Sequence, residues 1–141
     1  MTENIVDAKS LQSVLKLVHL VFDEISFKRL GFQQEAKELQ NEISFSVNAG
    51  SPDNFYCATL GYHGHKDDEY DVVVRLTGYF EIVGEVDADI RQSLLETNTA
   101  SILFPYLRSE LTLITSQPET VPIIMQTMNI NALLEQAEKN N

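Results

Sequence analysis

The sequence predicts an α+β domain: a four-stranded antiparallel sheet, a long helix on one side of it, an apolar crossover loop and a short C-terminal helix. Three observations carry this. Runs rich in β-branched and aromatic residues fill the chain up to Glu85, the apolar period changes to that of helices after it, and turn-forming residues punctuate the front half.

The first strand is expected over residues 14–30, VLKLVHLVFDEISFKRL, which is apolar on both faces until about Phe22 and so should be covered on both. Gly31 marks a turn ahead of FQQEAKELQNE. In ISFSVNA, Ile43, Phe45 and Val47 alternate with Ser44, Ser46 and Asn48, a period of two. GSPDN turns the chain, FYCATLGYHG supplies a third strand and HGHKDDE reverses it again. In YDVVVRLTGYFEIVGE, Val72, Val74, Leu76, Phe80 and Ile82 point one way, and Asp71, Arg75, Thr77 and Glu81 the other. Strands consecutive in sequence and closely connected pair antiparallel, so the economical topology is a meander.

Asp87 or Asp89 is placed to cap a short helix through IRQSLLE, with Ile90, Leu94 and Leu95 on one side. TNTAS should interrupt it, because Thr, Asn and Ser favour caps and turns. A second helix restarting near Thr99 or Ser101 would bury Leu103, Tyr106, Leu107, Leu111 and Ile114. Pro105 fits a restart, where its missing N–H costs little, whereas a helix continuous from Asp89 would be kinked there; the spacing leaves both open. QPETVPIIMQTMNI has two prolines and no helical period, yet is apolar enough to need a surface beneath it, and NALLEQAEKNN closes as a short amphipathic helix.

A length of 141 residues fits a single domain over 1–141, with a core large enough to need no cross-links. The one cysteine, Cys57, allows no internal disulfide and suits a reducing compartment. MTENIVDAKS lacks the basic and apolar regions of a signal peptide, and no apolar run reaches the ~20 residues of a membrane span, so the expected location is the cytoplasm. A net charge of -11 repels phosphate backbones and anionic lipid, which disfavours nucleic acid and membrane as partners and favours a basic protein surface; it also keeps a protein soluble.

Other groupings have ordinary readings. His63 and His65 lie near Asp67, Asp68 and Glu69, a set with metal-binding residue types, but the spacing fits a solvated turn better, and neither metal nor cofactor is expected. Cys57 with His63 sketches a nucleophile and base for a small thiol hydrolase, although no third, orienting group is evident. Arg108, beside a buried face, should pair with a carboxylate such as Glu110 or one on a neighbouring subunit, and Tyr106 should be core or interface.

Taken together, ILFPYLRSELT, DEISF, GYFEIVG and VPIIMQTMNINALL occur in an order and spacing that resemble SecB, the bacterial protein-export chaperone family, from about Leu15 to Glu135. The resemblance implies a homo-oligomer, a dimer of dimers, without catalytic activity or cofactor, that holds unfolded polypeptide clients in apolar grooves and passes exported ones to the SecA motor. It further implies a groove floor of Ile43, Phe45 and Val47, with Val121, Ile123 and Ile124 overhanging it and Met125 and Met128 in the loop that forms the groove wall. The competing reading of these residues is ordinary core. Glu24 matches one acid used for SecA docking, whereas Lys28 reverses a second and Val73 replaces a third. Val121 and Ile130 stand where the family usually has phenylalanine. Pro105, Tyr106 and Arg108 fall in the family's helix-start run as structural or interface positions. Relatives without a dedicated export role guard the antitoxins of toxin–antitoxin pairs, which is the alternative function.

Overall fold

A computed structural model describes residues 14–33, 37–126 and 130–139. Strands β1 (Leu15–Arg29), β2 (Gln40–Ala49), β3 (Phe55–Lys66) and β4 (Tyr70–Ile82) form one antiparallel sheet in the order β1-β4-β3-β2. The class and the four antiparallel strands are as expected. The meander is not: β1 pairs with β4, from Leu15 opposite Ile82 to Arg29 opposite Tyr70. A meander would have left β4 at an edge. Its Val72, Val74, Leu76 and Phe80 are fully buried, and a strand so buried needs neighbours on both sides to satisfy its backbone polar groups. Arg29 and Gln40 are far enough apart in sequence for β1 and β2 to occupy opposite edges of the sheet.

The apparent two-faced hydrophobicity of β1 has a local cause. Val18 and Asp23 are extra residues at register shifts between Leu17 and His19 and between Phe22 and Glu24. Each bulge flips the alternation, so Leu15, Leu17, Leu20, Phe22, Ile25 and Phe27 all oppose the inward-facing residues of β4. The bulged Asp23 accepts a hydrogen bond from Thr77 Oγ1 at 2.5 Å. Most of the apolar residues of β1 are therefore gathered on one face, with Val21, opposite Thr77, left on the other. The expectation that it is covered on both is corrected, since Val18 and Val21 are exposed in the isolated chain.

After the sheet the chain is helical without a restart. Helix α1 (Ala88–Ser93) passes into a π-helical turn (Leu94–Asn98) and then α2 (Thr99–Thr115). The Thr99 N–H reaches back to Leu94 C=O, the five-residue bond of a π turn. TNTAS widens the helix instead of ending it. The Thr99 hydroxyl donates to Leu95 C=O at 2.5 Å and the Ser101 hydroxyl to Thr97 C=O at 3.1 Å, which supplies local partners where the ladder is irregular. Pro105 lies inside α2 on its exposed side, away from the packed stripe of Leu103, Leu107 and Leu111. Phe104 and Thr115 join the buried set, while Tyr106, expected to be buried, is 45% exposed, because the stripe is flanked by Phe104 and Thr115 instead of Tyr106 and Ile114.

Helix α2 seats on the inner sheet face, and Leu103, Leu107 and Leu111 meet Leu60, Leu76 and Phe80 in one core. Ala58 and Gly78, opposite one another on β3 and β4, put little side chain beneath the helix. A Cβ on Gly78 would stand 2.7 Å from Phe80 Cε2 and 2.8 Å from Leu103 Cδ2, both in fully buried side chains. Helix α3 (Ile130–Lys139) packs beside β2, with Ile130 buried. Among the described residues, no helix is long and apolar enough to cross a membrane.

Gly78→Ala should destabilise the chain by about 1–3 kcal/mol, the usual consequence of overpacking a closed core. Denaturant unfolding measures this, and a loss under about 0.5 kcal/mol would show that α2 can lift without penalty.

Candidate functional site

The apolar residues read as a groove divide into several environments. Ile43, Phe45 and Val47 share one face of edge strand β2 and are half-buried, opposite the more deeply buried Tyr62, Leu60 and Ala58 of β3. Burial pushes the Tyr62 phenol's pKa up, with Tyr70 adding to the shift, and its hydroxyl donates to Asn41 Oδ1. Val47 lines an open concavity of about 660 Å³ with Tyr56, Val86, Arg91 and Leu95. Arg91 Nη1 donates to the Tyr56 hydroxyl at 2.7 Å and to Asn54 Oδ1 at 3.2 Å, which fixes the wall where α1 meets the β2–β3 turn.

The crossover segment behaves differently. Ile123 is only 8% exposed and belongs to the core, whereas Val121 is 58% and Ile124 73% exposed. The Ile123 N–H donates to the buried Thr115 Oγ1 at 2.8 Å, and the Thr112 hydroxyl donates to Ile123 C=O at 2.7 Å. These bonds dock the loop on the end of α2 and turn Ile123 inward, so its neighbours in sequence must face out. Ile124 and Met125 line a second concavity of about 660 Å³ with Arg108, Thr112 and Leu113. Leu113 is 69% exposed. It was missed as a site residue because it lies off the helix's buried stripe, and a leucine at a solvent-facing helical position was the available signal. Met128 lies outside the described residues.

Arg29 ties the other end of this segment to the sheet. Its guanidinium stacks 5.1 Å over the Phe27 ring and donates to the carbonyls of Pro118 and Glu119, each at 3.3 Å, and to the Thr120 hydroxyl. The overhang is therefore held at two points, by Arg29 just before it and by Thr115 at Ile123.

The remaining candidates stand apart. Pro105 and Tyr106 are exposed on α2, and half-buried Arg108 lines the second concavity. Glu24 lies on β1 toward the outer sheet surface, paired with Arg75 at 3.4 Å and accepting from Ser26 at 3.3 Å. Cys57 and His63 lie six residues apart on the same strand, about 20 Å at the rise of a strand, so no nucleophile–base pair is assembled. The hairpin histidines find a different set of carboxylates from the expected one. His63 Nε2 and His65 Nδ1 both meet Asp71 Oδ1, at 2.7 and 3.1 Å, and His65 Nε2 meets Asp67 Oδ1 at 2.8 Å. Asp68 instead pairs with Lys37, and buried Glu69 with Lys66. The hydrogen bonds to Asp71 and then Asp67 raise the His65 pKa, and those from His63 and then His65 hold Asp71 below the usual carboxylate range.

Thr115→Val should cost about 1–3 kcal/mol, because it leaves the Ile123 N–H buried without an acceptor. Amide exchange at Ile123 should rise well ahead of that at the centre of β4; unchanged protection would show that the hydroxyl does not hold the loop.

Comparison with known proteins fits this architecture. A family model described as preprotein translocase subunit SecB matches residues 12–141. The uncharacterized protein MJ0357 of Methanocaldococcus jannaschii is 25% identical over 130 residues, which cover 89% of this chain and 81% of that protein. Among solved structures, the Mycobacterium tuberculosis Rv1957 SecB-like chaperone, in complex with a ChAD peptide from the Rv1956 HigA1 antitoxin, superposes with a TM-score of 0.67 at 12% identity. That match covers 84% of this chain and 93% of the other and speaks to the fold. With the family match running through sheet, helices and crossover alike, the chain belongs to the SecB family.

Proposed function

We propose that this protein is an ATP-independent holdase of the cytoplasm that binds non-native polypeptide on apolar surface beside its crossover loop. The observation that carries this is the exposure of Leu113 and Ile124, at 69% and 73%, around a concavity they share with Met125. Uncovered aliphatic and thioether side chains suit a binder that must accept many sequences. Val121 and Met128 would extend that surface, and Ile43, Phe45 and Val47 would supply a second strip along β2. Ile123 serves it by anchoring the loop. Assembly as a dimer of dimers would bring such strips from several chains into continuous troughs, and the unpaired edge of β1 with Val18 and Val21 is the region offered for it. No catalytic role is assigned to Cys57.

Two kinds of partner follow. In the export reading, the chaperone hands clients to SecA through an outer surface that includes Glu24. That carboxylate is already engaged by Arg75, which weakens its availability. In the second reading, the client is an antitoxin, favoured by the SecB-like structural neighbour that holds an antitoxin peptide.

Aggregation of a denatured model protein, followed by light scattering without ATP, tests the holdase directly. Suppression is expected at stoichiometric amounts, and none at several-fold excess would end the proposal. Leu113→Ser and Ile124→Ser should each weaken client binding about tenfold, since a fully buried aliphatic contact is worth about 1.5–3 kcal/mol. Binding of an antitoxin-derived peptide in preference to SecA would decide between the two partners.

A further inference from the structure

The hollow where α1 meets the β2–β3 turn holds a guanidinium whose charge no carboxylate meets among the described residues. Arg91 is half-buried on α1, and its Nη1 donates to the Tyr56 hydroxyl at 2.7 Å and to Asn54 Oδ1 at 3.2 Å. Both acceptors are neutral, and Arg91 takes part in no ion pair among the described residues. In a chain where Asp and Glu outnumber Lys and Arg by 21 to 10, an unmatched cation set in apolar surface stands out.

Tyr56 and Asn54 use both hydrogens of Nη1 and so decide which edge of the guanidinium remains. Nε and Nη2 carry the side-on pair of parallel N–H groups, the edge that fits the two oxygens of a carboxylate. Neither nitrogen has a partner among the described residues. Val47 of β2, Val86, Leu95 and the Tyr56 ring line the same open concavity of about 660 Å³. Glu96 and Gln92 also line it, and Gln92 Nε2 donates to Glu96 Oε1 at 2.7 Å. Gln92 Oε1 has no partner among the described residues and is left as an acceptor for a peptide N–H.

We propose that this hollow takes the C-terminal end of a non-native polypeptide whose last residues are apolar, with its α-carboxylate on the Nε–Nη2 edge of Arg91, an occupant whose choice rests on the holdase reading. The α-carboxylate sits on the carbon that bears the last side chain, so charge and apolar group enter together and meet Arg91 and the Val86–Leu95 wall at once. An internal Asp or Glu uses its side chain for the charge and brings no apolar group of its own. A fatty acid would match Arg91 but leave Gln92 unused and its alkyl chain wet in an open hollow. Glu96 works against the incoming carboxylate, which makes it a reporter of where that charge goes.

Fluorescence anisotropy of an N-terminally labelled peptide ending in Leu-Val-Leu, prepared with a free C-terminal carboxylate and as the C-terminal amide, tests this on the full-length chain. The acid should bind at least about tenfold more tightly than the amide, as expected of a charge-assisted bidentate pair. Arg91→Gln should remove the difference, and Arg91→Lys, which keeps the charge but loses the fork, should retain only part of it. Glu96→Gln should tighten the acid about two- to fivefold and leave the amide unchanged. Circular dichroism checks that each variant is folded. No binding of either peptide, equal binding of acid and amide by wild type, or an undiminished difference in Arg91→Gln would overturn the carboxylate site; suppression of aggregation retained alongside any of these would leave the holdase reading standing. Displacement of the acid peptide by an equal concentration of decanoate would overturn the peptide terminus as the occupant.

Discussion

The seating of α2 on a single face of the sheet is the constraint on which the rest of this structure depends. Leu103, Leu107 and Leu111 can approach β3 and β4 closely because Ala58 and Gly78 present almost no side chain between them. Once that contact forms, the inner residues of β4 are sealed, and β1 and β2 must flank β3 and β4 to complete their hydrogen bonding. The bulges of β1 serve the same end, since without them half its apolar residues would face away from the core.

One-sided coverage has a consequence for function. A chain of this length that stacks its helices on one face leaves the other to polar and mixed residues, including the Glu24–Arg75 pair and the hairpin histidines. Its crossover loop must run along the margin of the helix layer. There the loop is neither core nor free chain: Ile123 is pulled in by Thr115 and Thr112, Arg29 fixes the preceding residues, and Ile124 is pushed out as a result. Exposed hydrophobicity at this margin is thus a product of anchoring and not of looseness. Under the proposed binding of non-native polypeptide, side chains held in place in this way lower the ordering cost of binding.

The helix shows how tolerance is distributed. A π turn at Leu94–Asn98 and a proline in α2 would each weaken an isolated helix, yet both occur within a segment whose buried stripe is continuous against the sheet. Tertiary packing supplies the stability that local propensity withholds. The hydroxyls of Thr99, Ser101 and Thr115, each bonded to a carbonyl four residues back, keep the irregular stretches satisfied.

Local periodicity and turn chemistry by themselves determined the α+β class, the placement of all four strands, the faces of β2 and β4, and the apolar character of the crossover. Family motifs distributed along the chain pointed to the SecB family. Strand order was not legible, because alternation says which face a residue occupies and not which strand lies beside it. The bulges of β1 were hidden for a related reason: a parity change in one strand is resolved only against the register of its partner. The same limit applied at the sites. Asp71 comes to His63 and His65 through cross-strand pairing that no local spacing encodes, and the split between core Ile123 and exposed Ile124 follows from hydrogen bonds to a helix that ends several residues earlier. What a residue is and how it alternates are written in the chain, whereas what it meets was decided only when long-range packing fixed the register.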